Sequence, residues 1–443
     1  MESNYLESQI ELVANKFVDV ISNKEILIIS HFDTDGITSA TILIQTLRKL
    51  DKRFSVKIVK RLEEETLTKL PEDKVIIFLD LASGSLDYLS RLNLENIFII
   101  DHHEIFQAIP EGMNIINPEL NGKEKLSASS LTYLFCKYID EENKEFAKLA
   151  ILGMIGDCME KSIDKLNNLI INDGEVKRKR GLLIYPSTRP LNRTLEYCSD
   201  PYIPGITGDA QGVTELLREI NLTPVNGKYK SLIELDDNEM SKLVTSIILK
   251  NPKVKNKEII GDIFLIKLFN KLEDARELSA MINACSRLGE SETAIQFCME
   301  SAKAKKKAEL MHTKYKQHLI SGLKSASESE KVEGNGFVII NAKDKIKDTI
   351  IGTIASILSN SSLYEEGTII TTMAYYDDKI KISSRGVGKV ERNIREMLTK
   401  VVNEIGGEVG GHEFAAGCMV KQEKEKDFIE LLKKSFEVEL VKI

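Results

Sequence analysis

Along the first 160 residues, short unbroken apolar runs alternate with stretches whose apolar residues recur at helical spacing. The runs are "EILIIS", "FSVKIV", "KVIIFLD" and "IFIIDHH"; a helical stretch, Thr38 to Leu50, follows the first. Continuous β-branched runs too short for helices predict strands buried on both faces, and the helices between them predict a parallel sheet. Residues 141–157, "EENKEFAKLAILGMIGD", read as a helix ending near Asp157, and the N-terminus "MESNYLESQIELVANKFVDVI" as an amphipathic helix rather than a signal peptide. Residues 166–255 hold most of the prolines and predict an irregular, mostly helical connecting region. From about Ile259 the strand–helix alternation resumes with "IIGDIFLIKL", a long helical stretch near 299–326, "GFVIINA", "GTIITTMAYY" and "KIKISSRG". The expected architecture is α/β: a parallel-sheet domain over 1–165, the connecting region over 166–255, and a second α/β domain over 256–443 with its own sheet. No internal repeat or low-complexity segment interrupts this pattern.

Composition narrows the class. The 443 residues suffice for two or three domains, and 42% hydrophobic content supports sizeable cores. No apolar run reaches the roughly 18 residues that span a bilayer, so no membrane association is expected. Six cysteines are scattered without a CxxC pair, which fits a reduced, cytoplasmic protein without structural zinc. The net charge of −7 argues against a protein that binds nucleic acid mainly through overall charge, but not against a local basic track. Residues 301–324 carry seven lysines against one glutamate, either a solvated helix face or the wall of a nucleic-acid groove. "KRKR" (Lys177 to Arg180) reads as an exposed turn, and Tyr375 and Tyr376 either pack or stack a base.

The chemistry lies at the strand ends. "IISHFDTDG", "IFLDLA" and "FIIDHHE" each run from a strand into acidic or histidine residues. In parallel sheets ligands gather at the carboxyl ends of strands. This brings His31, Asp33, Asp35, Asp80, the Asp101-His102-His103 triplet and Asp157 into one candidate set. Taken singly, an Asp after a strand is a cap or turn residue, and a His pair is structural or exposed. Taken together, crowded carboxylates raise one another's pKa unless a cation neutralises them. Hard oxygen ligands with one or two imidazoles suit Mn²⁺ or Mg²⁺ better than tetrahedral zinc.

With these residues in place, "HFDTDGITSA", "FLDLASG", "DHHE" and "GMIGD" resemble the four motifs of the DHH phosphoesterase superfamily. "GGEVGGHEFAAG" (Gly406 to Gly417) is similar to the signature of its associated DHHA1 domain. The middle stretch "GLLIYPSTRPLNRTLEYCSDPYIPGITGD" is similar to a segment typical of archaeal RecJ-like nucleases, and "NACSRLG" (Asn283 to Gly289) and "SSRG" (Ser383 to Gly386) resemble motifs of the RecJ-type branch. That branch often has glycine where Ser286 stands here; a small residue is kept.

The resemblance implies a DHH catalytic domain joined by the connecting region to a smaller, mixed-sheet DHHA1 substrate domain. It implies two Mn²⁺ ions, with Mg²⁺ or Co²⁺ as substitutes, on His31, Asp33, Asp35, Asp80, His102 and Asp157. Asp33, Asp35, Asp80, Asp101, His102, His103 and Asp157 form the implied catalytic group, His103 touching the scissile phosphate or supporting the metal shell. Asn283, Arg287, Ser384, Arg385, Gly410, Gly411 and His412 are the implied substrate-binding residues of the DHHA1 domain, across an interdomain cleft. Arg offers paired bonds to phosphate, and glycine leaves room for a ligand near the main chain. Arg287 also suits a helix C-terminus capped at Gly289, and Gly410-Gly411 a turn. The implied activity is manganese-dependent exonuclease action on single-stranded DNA, and on RNA as a second substrate, in the 5′→3′ direction, by a water activated by two metals, in replication or repair. Two alternatives stand beside it: a phosphodiesterase of short oligoribonucleotides or cyclic dinucleotides, and a replisome scaffold bound to the GINS complex.

Overall fold

The strand β1 (Ile26–His31) lies between β2 (Phe54–Val59) and β3 (Val75–Leu79), and β4 (Ile97–Ile100) and β5 (Asn114–Ile116) extend the sheet beyond β3. All pairings are parallel. Every residue of β3 and β4 is buried, as uninterrupted apolar runs demand, whereas the edge strand β2 alternates in exposure. The chain steps from β1 out to β2 and then back across to β3. The order therefore reverses between β1 and β3, and a crevice forms at their carboxyl ends. Helix α1 (Tyr5–Val20) packs beside β5, where Gln9 Nε2 donates to the Ile115 carbonyl. Helices α2 (Thr34–Lys49), α3 (Ala128–Ile139) and α4 (Ala147–Gly156) share one apolar core with it.

This computed structural model describes residues 5–92, 94, 96–105, 107–120, 124–198, 201, 203–250, 259–361 and 363–441. The chain divides into two units, Met1–Gly181 with Gly261–His312, and Leu182–Ile260 with Thr313–Ile443. The division differs from the expected ranges. Residues 261–312, expected in the second domain, belong to the first unit. The reason is apolar: Leu278, Met281, Ile282 and Cys285 of α5 (Ala275–Arg287) and Phe297 of α6 (Ser291–Cys298) are buried in the same core as Ile37 and Leu152. The expected boundary at 255/256 falls outside the described residues.

A three-stranded sheet in the order β6 (Lys177–Leu182), β7 (Ile260–Leu268), β8 (Lys271–Asp274) accompanies these helices. "KRKR" is thus the start of an edge strand, not a turn. Its charges suit an edge that must resist pairing with another chain. The basic helix α7 spans Ala302–Glu328, and several of its cations are engaged: Lys307 Nζ lies 2.5 Å from Glu290 Oε2, and Lys305 Nζ sits 4.6 Å from the centre of the Phe269 ring.

In the second unit, the described residues of 182–260 form the α-helices Leu191–Glu196, Ala210–Glu219 and Asp237–Lys250, with irregular joints, as their prolines predict. The rest builds a six-stranded mixed sheet. In chain order its strands are β9 (Lys331–Gly334), β10 (Phe337–Asn341), β11 (Ile369–Tyr376), β12 (Lys379–Gly386), β13 (Glu408–His412) and β14 (Ala415–Lys421). In space they run β13-β14-β12-β11-β10-β9, and only β10 and β11 are parallel. Helices α9 (Ile394–Ile405) and α10 (Glu425–Val441) cover the face of Met373, Ile382 and Cys418. Helix α8 (Asp348–Ser359) covers the other face, where Thr372 Oγ1 donates to the Ile351 carbonyl. Tyr375 is a packing residue, its hydroxyl donating to Glu425 Oε2 at 2.6 Å. Among the described residues, no helix is long and apolar enough to cross a membrane.

Candidate metal centre

The centre assembles where β1, β3 and β4 end side by side. His31 is the last residue of β1, Asp80 follows β3, and Asp101-His102-His103 follow β4. Asp33 and Asp35 open α2, and Asp157 closes α4 as its C-cap. Helix α2 begins at Thr34, four residues earlier than the expected Thr38, because Asp33 caps it: Asp33 Oδ1 accepts the Gly36 N–H at 3.1 Å. Gly36 therefore lies in the first helical turn. Its glycine character is steric, since a Cβ there would stand 2.3 Å from the His31 carbonyl oxygen.

Three interlocked clusters result. His31, Asp33 and Asp80 form one; Asp80, His102 and His103 the second; Asp35, His102 and Asp157 the third. Two residues link them. Asp80 Oδ2 lies 3.1 Å from His31 Nδ1, while its Oδ1 lies 3.4 Å from His102 Nε2 and 3.7 Å from His103 Nδ1. His102 Nε2 reaches on to Asp157 Oδ2 at 3.1 Å and Asp35 Oδ2 at 3.8 Å. Asp80 takes a left-handed backbone conformation, φ 58°, which costs a non-glycine residue on the order of 1 kcal/mol.

Electrostatics reflect the crowding. Burial, then repulsion from Asp157 and Asp80, pushes the Asp35 carboxyl well above the usual range. Burial and the Asp33 charge push Asp80 up to about 6. Burial would lower both imidazoles, but bonds to carboxylates prevail. Asp33 and Asp80 raise His31 to about 10, and Asp157 and Asp80 push His102 up to about 12. Asp33 is held below the usual carboxylate range despite its burial, by the His31 bond. Raised carboxyl values of this kind mark crowded negative charge, which a bound cation relieves.

Do these residues fit a divalent ion? Asp80 Oδ1 and His102 Nε2 are buried without a hydrogen-bond partner of proper geometry, and buried polar atoms of that kind point to a missing ligand. The donor set, four carboxylates and two or three imidazoles, is one that Mn²⁺ or Mg²⁺ accepts.

Asp101, expected in the catalytic group, stands outside the three clusters and is fully occupied. Its Oδ2 accepts the Ser83 N–H at 2.9 Å, and its Oδ1 accepts the His102 N–H at 2.8 Å and lies 2.7 Å from His103 Nδ1. Its bonds hold the His103 ring and the main chain at His102. Motif reading missed the supports beneath the ligands. Asp35 Oδ2 and Oδ1 accept the N–H groups of Ala128 and Ser129 at the start of α3, at 2.7 and 3.0 Å. Gly153 makes room for that carboxylate: a Cβ there would stand 2.4 Å from Asp35 Oδ1 and 2.0 Å from Ser129 Oγ. Asn117 Nδ2 ties Ser83 Oγ and the His103 carbonyl, each at 2.9 Å. The signal for these lay in "GMIGD" and in the small polar run "SASS", but only the fold gives them meaning.

The expected substrate-binding residues divide between the two units. Asn283 and Arg287 are in the first, on the last turns of α5. The helix ends with Gly289 at φ 82°, and the Gly289 and Glu290 N–H groups donate back to Ser286 and Cys285. Arg385, Ser384, Gly410, Gly411 and His412 are in the second. Arg385 and His412 flank Ala415 in register on β12, β14 and β13, so they project from one face of the sheet. The next row on that face is Ser383, Gly417 and Gly410, two of its three positions bare of side chain. Arg385 Nε and Nη1 donate to Ser356 Oγ and Ser383 Oγ, both at 3.1 Å. Gly411, at φ 113°, lies where a Cβ would meet the Ala415 carbonyl at 2.4 Å. Ser384 differs from expectation: it is fully buried and pairs with Thr371 Oγ1 at 2.8 Å, because alternation along β12 turns it away from the face of Arg385.

A doubly wound sheet carrying carboxylates and imidazoles at its switch point, followed by a mixed-sheet domain, defines a class of metal-dependent phosphoesterase. The family description "DHH family, N-terminal domain" matches residues 25–156, "DHH-CID domain" matches 184–259 and "DHHA1 domain" matches 335–437. The chain belongs to the DHH family and is RecJ-like in its fold. It is 30% identical to "Uncharacterized protein MJ0831" of Methanocaldococcus jannaschii over 95% of this chain and 96% of that one. It is 25% identical to the single-stranded-DNA-specific exonuclease RecJ of Bacillus subtilis over 33% of this chain and 21% of that one. Among solved structures, an exonuclease RecJ bound to manganese matches with a TM-score of 0.62 at 16% identity, covering 96% of this chain and 93% of that one. CDC45 of Entamoeba histolytica matches with a TM-score of 0.71 at 12% identity, covering 97% and 99%.

Proposed function

We propose that this protein is a manganese-dependent exonuclease that hydrolyses phosphodiester bonds of single-stranded DNA, with RNA as a second substrate, in the 5′→3′ direction. The observation that carries the reading is the interlocking of three ligand clusters through Asp80 and His102, with no ligand position lost. The names of two relatives, a single-stranded-DNA-specific exonuclease and an exonuclease bound to manganese, support the substrate and the metal. His31, Asp33 and Asp80 would hold one ion; Asp35, His102 and Asp157 a second, with Asp80 between. Bound divalent ions supply charge for the phosphate oxygens and lower the pKa of water near them.

The chain's own residues do the rest. Asp101 and the Ala128 and Ser129 amides fix the ligands so that no reorganisation is needed at the moment of reaction. His103, half-exposed, would bond the phosphate. Arg287 in the first unit would neutralise a substrate phosphate; in the second unit Arg385 would do the same, with His412 on the same sheet face as a hydrogen-bonding group.

The test is digestion of DNA and RNA strands labelled at either end, in Mn²⁺, Mg²⁺ or chelator. Mononucleotides released from the 5′ end of DNA, in Mn²⁺ and not in chelator, are the expected outcome. Mononucleotides appearing first from the 3′ end would reverse the polarity, and intact strands would refute the nuclease reading. A second reading, a scaffold bound to GINS, draws on the match to nearly all of CDC45. It predicts that Asp33→Ala/Asp35→Ala protein still captures GINS in a pulldown.

A further inference from the structure

Phe32 stands between two residues of the metal centre, yet no ligand role explains an aromatic ring there. Its ring lies edge-on to His31, with centroids 5.0 Å apart and planes at 87°. Across the unit's core, the Arg287 guanidinium carbon lies over the same ring, 5.9 Å from its centroid. Arg287 Nε donates to Asn283 Oδ1 at 3.1 Å, one helical turn back. The guanidinium is therefore held at its Nε and lies within cation–π range of the ring. Among the described residues, no hydrogen bond or ion pair occupies its two terminal nitrogens. A planar fork fixed at one nitrogen beside an aromatic ring, with two nitrogens left for a ligand, is pre-organised for a phosphate.

We infer that Phe32 is a positioning residue: its ring holds the Arg287 guanidinium beside the metal centre for a phosphate of the substrate strand. The inference rests on reading that centre as a phosphodiesterase site. An aliphatic side chain would fill similar space but would offer no π face to attract the cation. The same ring touches His31, so Phe32 joins the phosphate fork to the first ligand cluster within one unit. Asn283 completes the arrangement, and Ser279, one turn further back, receives the Thr34 hydroxyl through its carbonyl at 3.1 Å, which locks α5 against the start of α2.

The test compares Phe32→Leu, Phe32→Tyr and Arg287→Gln in the full chain. Binding of a labelled single-stranded 12-mer is read in Ca²⁺, cleavage in Mn²⁺, and Mn²⁺ affinity separately by titration. Phe32→Leu should weaken strand binding and raise KM by about tenfold, with kcat and Mn²⁺ affinity close to wild type. Phe32→Tyr should restore both, and Phe32→Leu should have no further effect in the Arg287→Gln background. Strand affinity unchanged by Phe32→Leu, a loss that persists in Arg287→Gln, or a fall in Mn²⁺ affinity instead would overturn the role. Wild-type protein that binds the strand without cutting it contradicts the nuclease reading and leaves the Phe32 comparison intact. Wild-type protein that binds no strand overturns the inference.

Discussion

Gly153 shows how closely the centre is built at the level of single residues. Its missing side chain is the space in which Asp35 and Ser129 meet. Gly153→Ala should lower Mn²⁺ affinity about 10- to 100-fold, the usual cost of disturbing a ligand's support, while far-ultraviolet circular dichroism stays near that of the wild type. Titration with Mn²⁺ checks this; unchanged affinity would show that the Asp35 carboxylate can shift without loss. The members of the three clusters were legible in sequence because each sits at a strand end or helix end with a motif around it. Their supports were not. Nothing in "SASS" says that two of its amides will face Asp35, since that contact joins residues more than 90 positions apart. Asp101 was legible as part of a triplet but not in its role, which depends on the Ser83 amide. Asp33 serves as both cap and cluster member, two roles that sequence reading had set against each other.

Among the elements, the helix Lys165–Asp173 ends on a carboxylate that ties down its neighbours. Asp173 lies 2.7 Å from both the Tyr133 hydroxyl and Lys137 Nζ, and 3.1 Å from Lys144 Nζ. Burial alone would raise its pKa, but the bonds from Lys137, Tyr133 and Lys144 lower it. A carboxylate with a lowered folded-state pKa contributes stability above its unfolded value, about 3.9, and that stability is lost as pH falls through the folded value. Asp173→Asn should therefore destabilise the protein at pH 7 and less at pH 3. Urea midpoints at the two pH values check this, and an equal loss at both would assign Asp173 a purely steric role. The strands of the first sheet could be read because buried parallel strands leave continuous apolar runs. β13 and β14 could not: "GGEVGGHEFAAG" has the glycines of a loop, and only pairing with β12 makes it sheet. The placement of α5 was hidden for a related reason. An amphipathic helix declares that it has a buried face but not which core that face joins.

For the whole molecule, net charge −7 and a centre of four carboxylates mean that folding concentrates repulsion in one place. A cation that binds only the folded chain relieves it. Saturating Mn²⁺ should raise the melting temperature by roughly 5 °C or more over protein in chelator, as binding at 100 times Kd contributes about 2.7 kcal/mol. Calorimetry with and without chelator measures it, and no shift would mean that the clusters hold no ion. The α/β class was legible from patterning. The transfer of 261–312 to the first unit was not, because a chain's order does not record which core a returning segment completes.

The central claim is that His31, Asp33, Asp35, Asp80, His102 and Asp157 act together as a metal centre for phosphodiester hydrolysis. The most direct measurement is release of nucleotides from an end-labelled single strand in Mn²⁺ by wild-type and Asp33→Ala/Asp35→Ala protein, both purified and shown to be folded. Release by the wild type and none by the double variant is the predicted result; release by both would contradict the assignment of the centre.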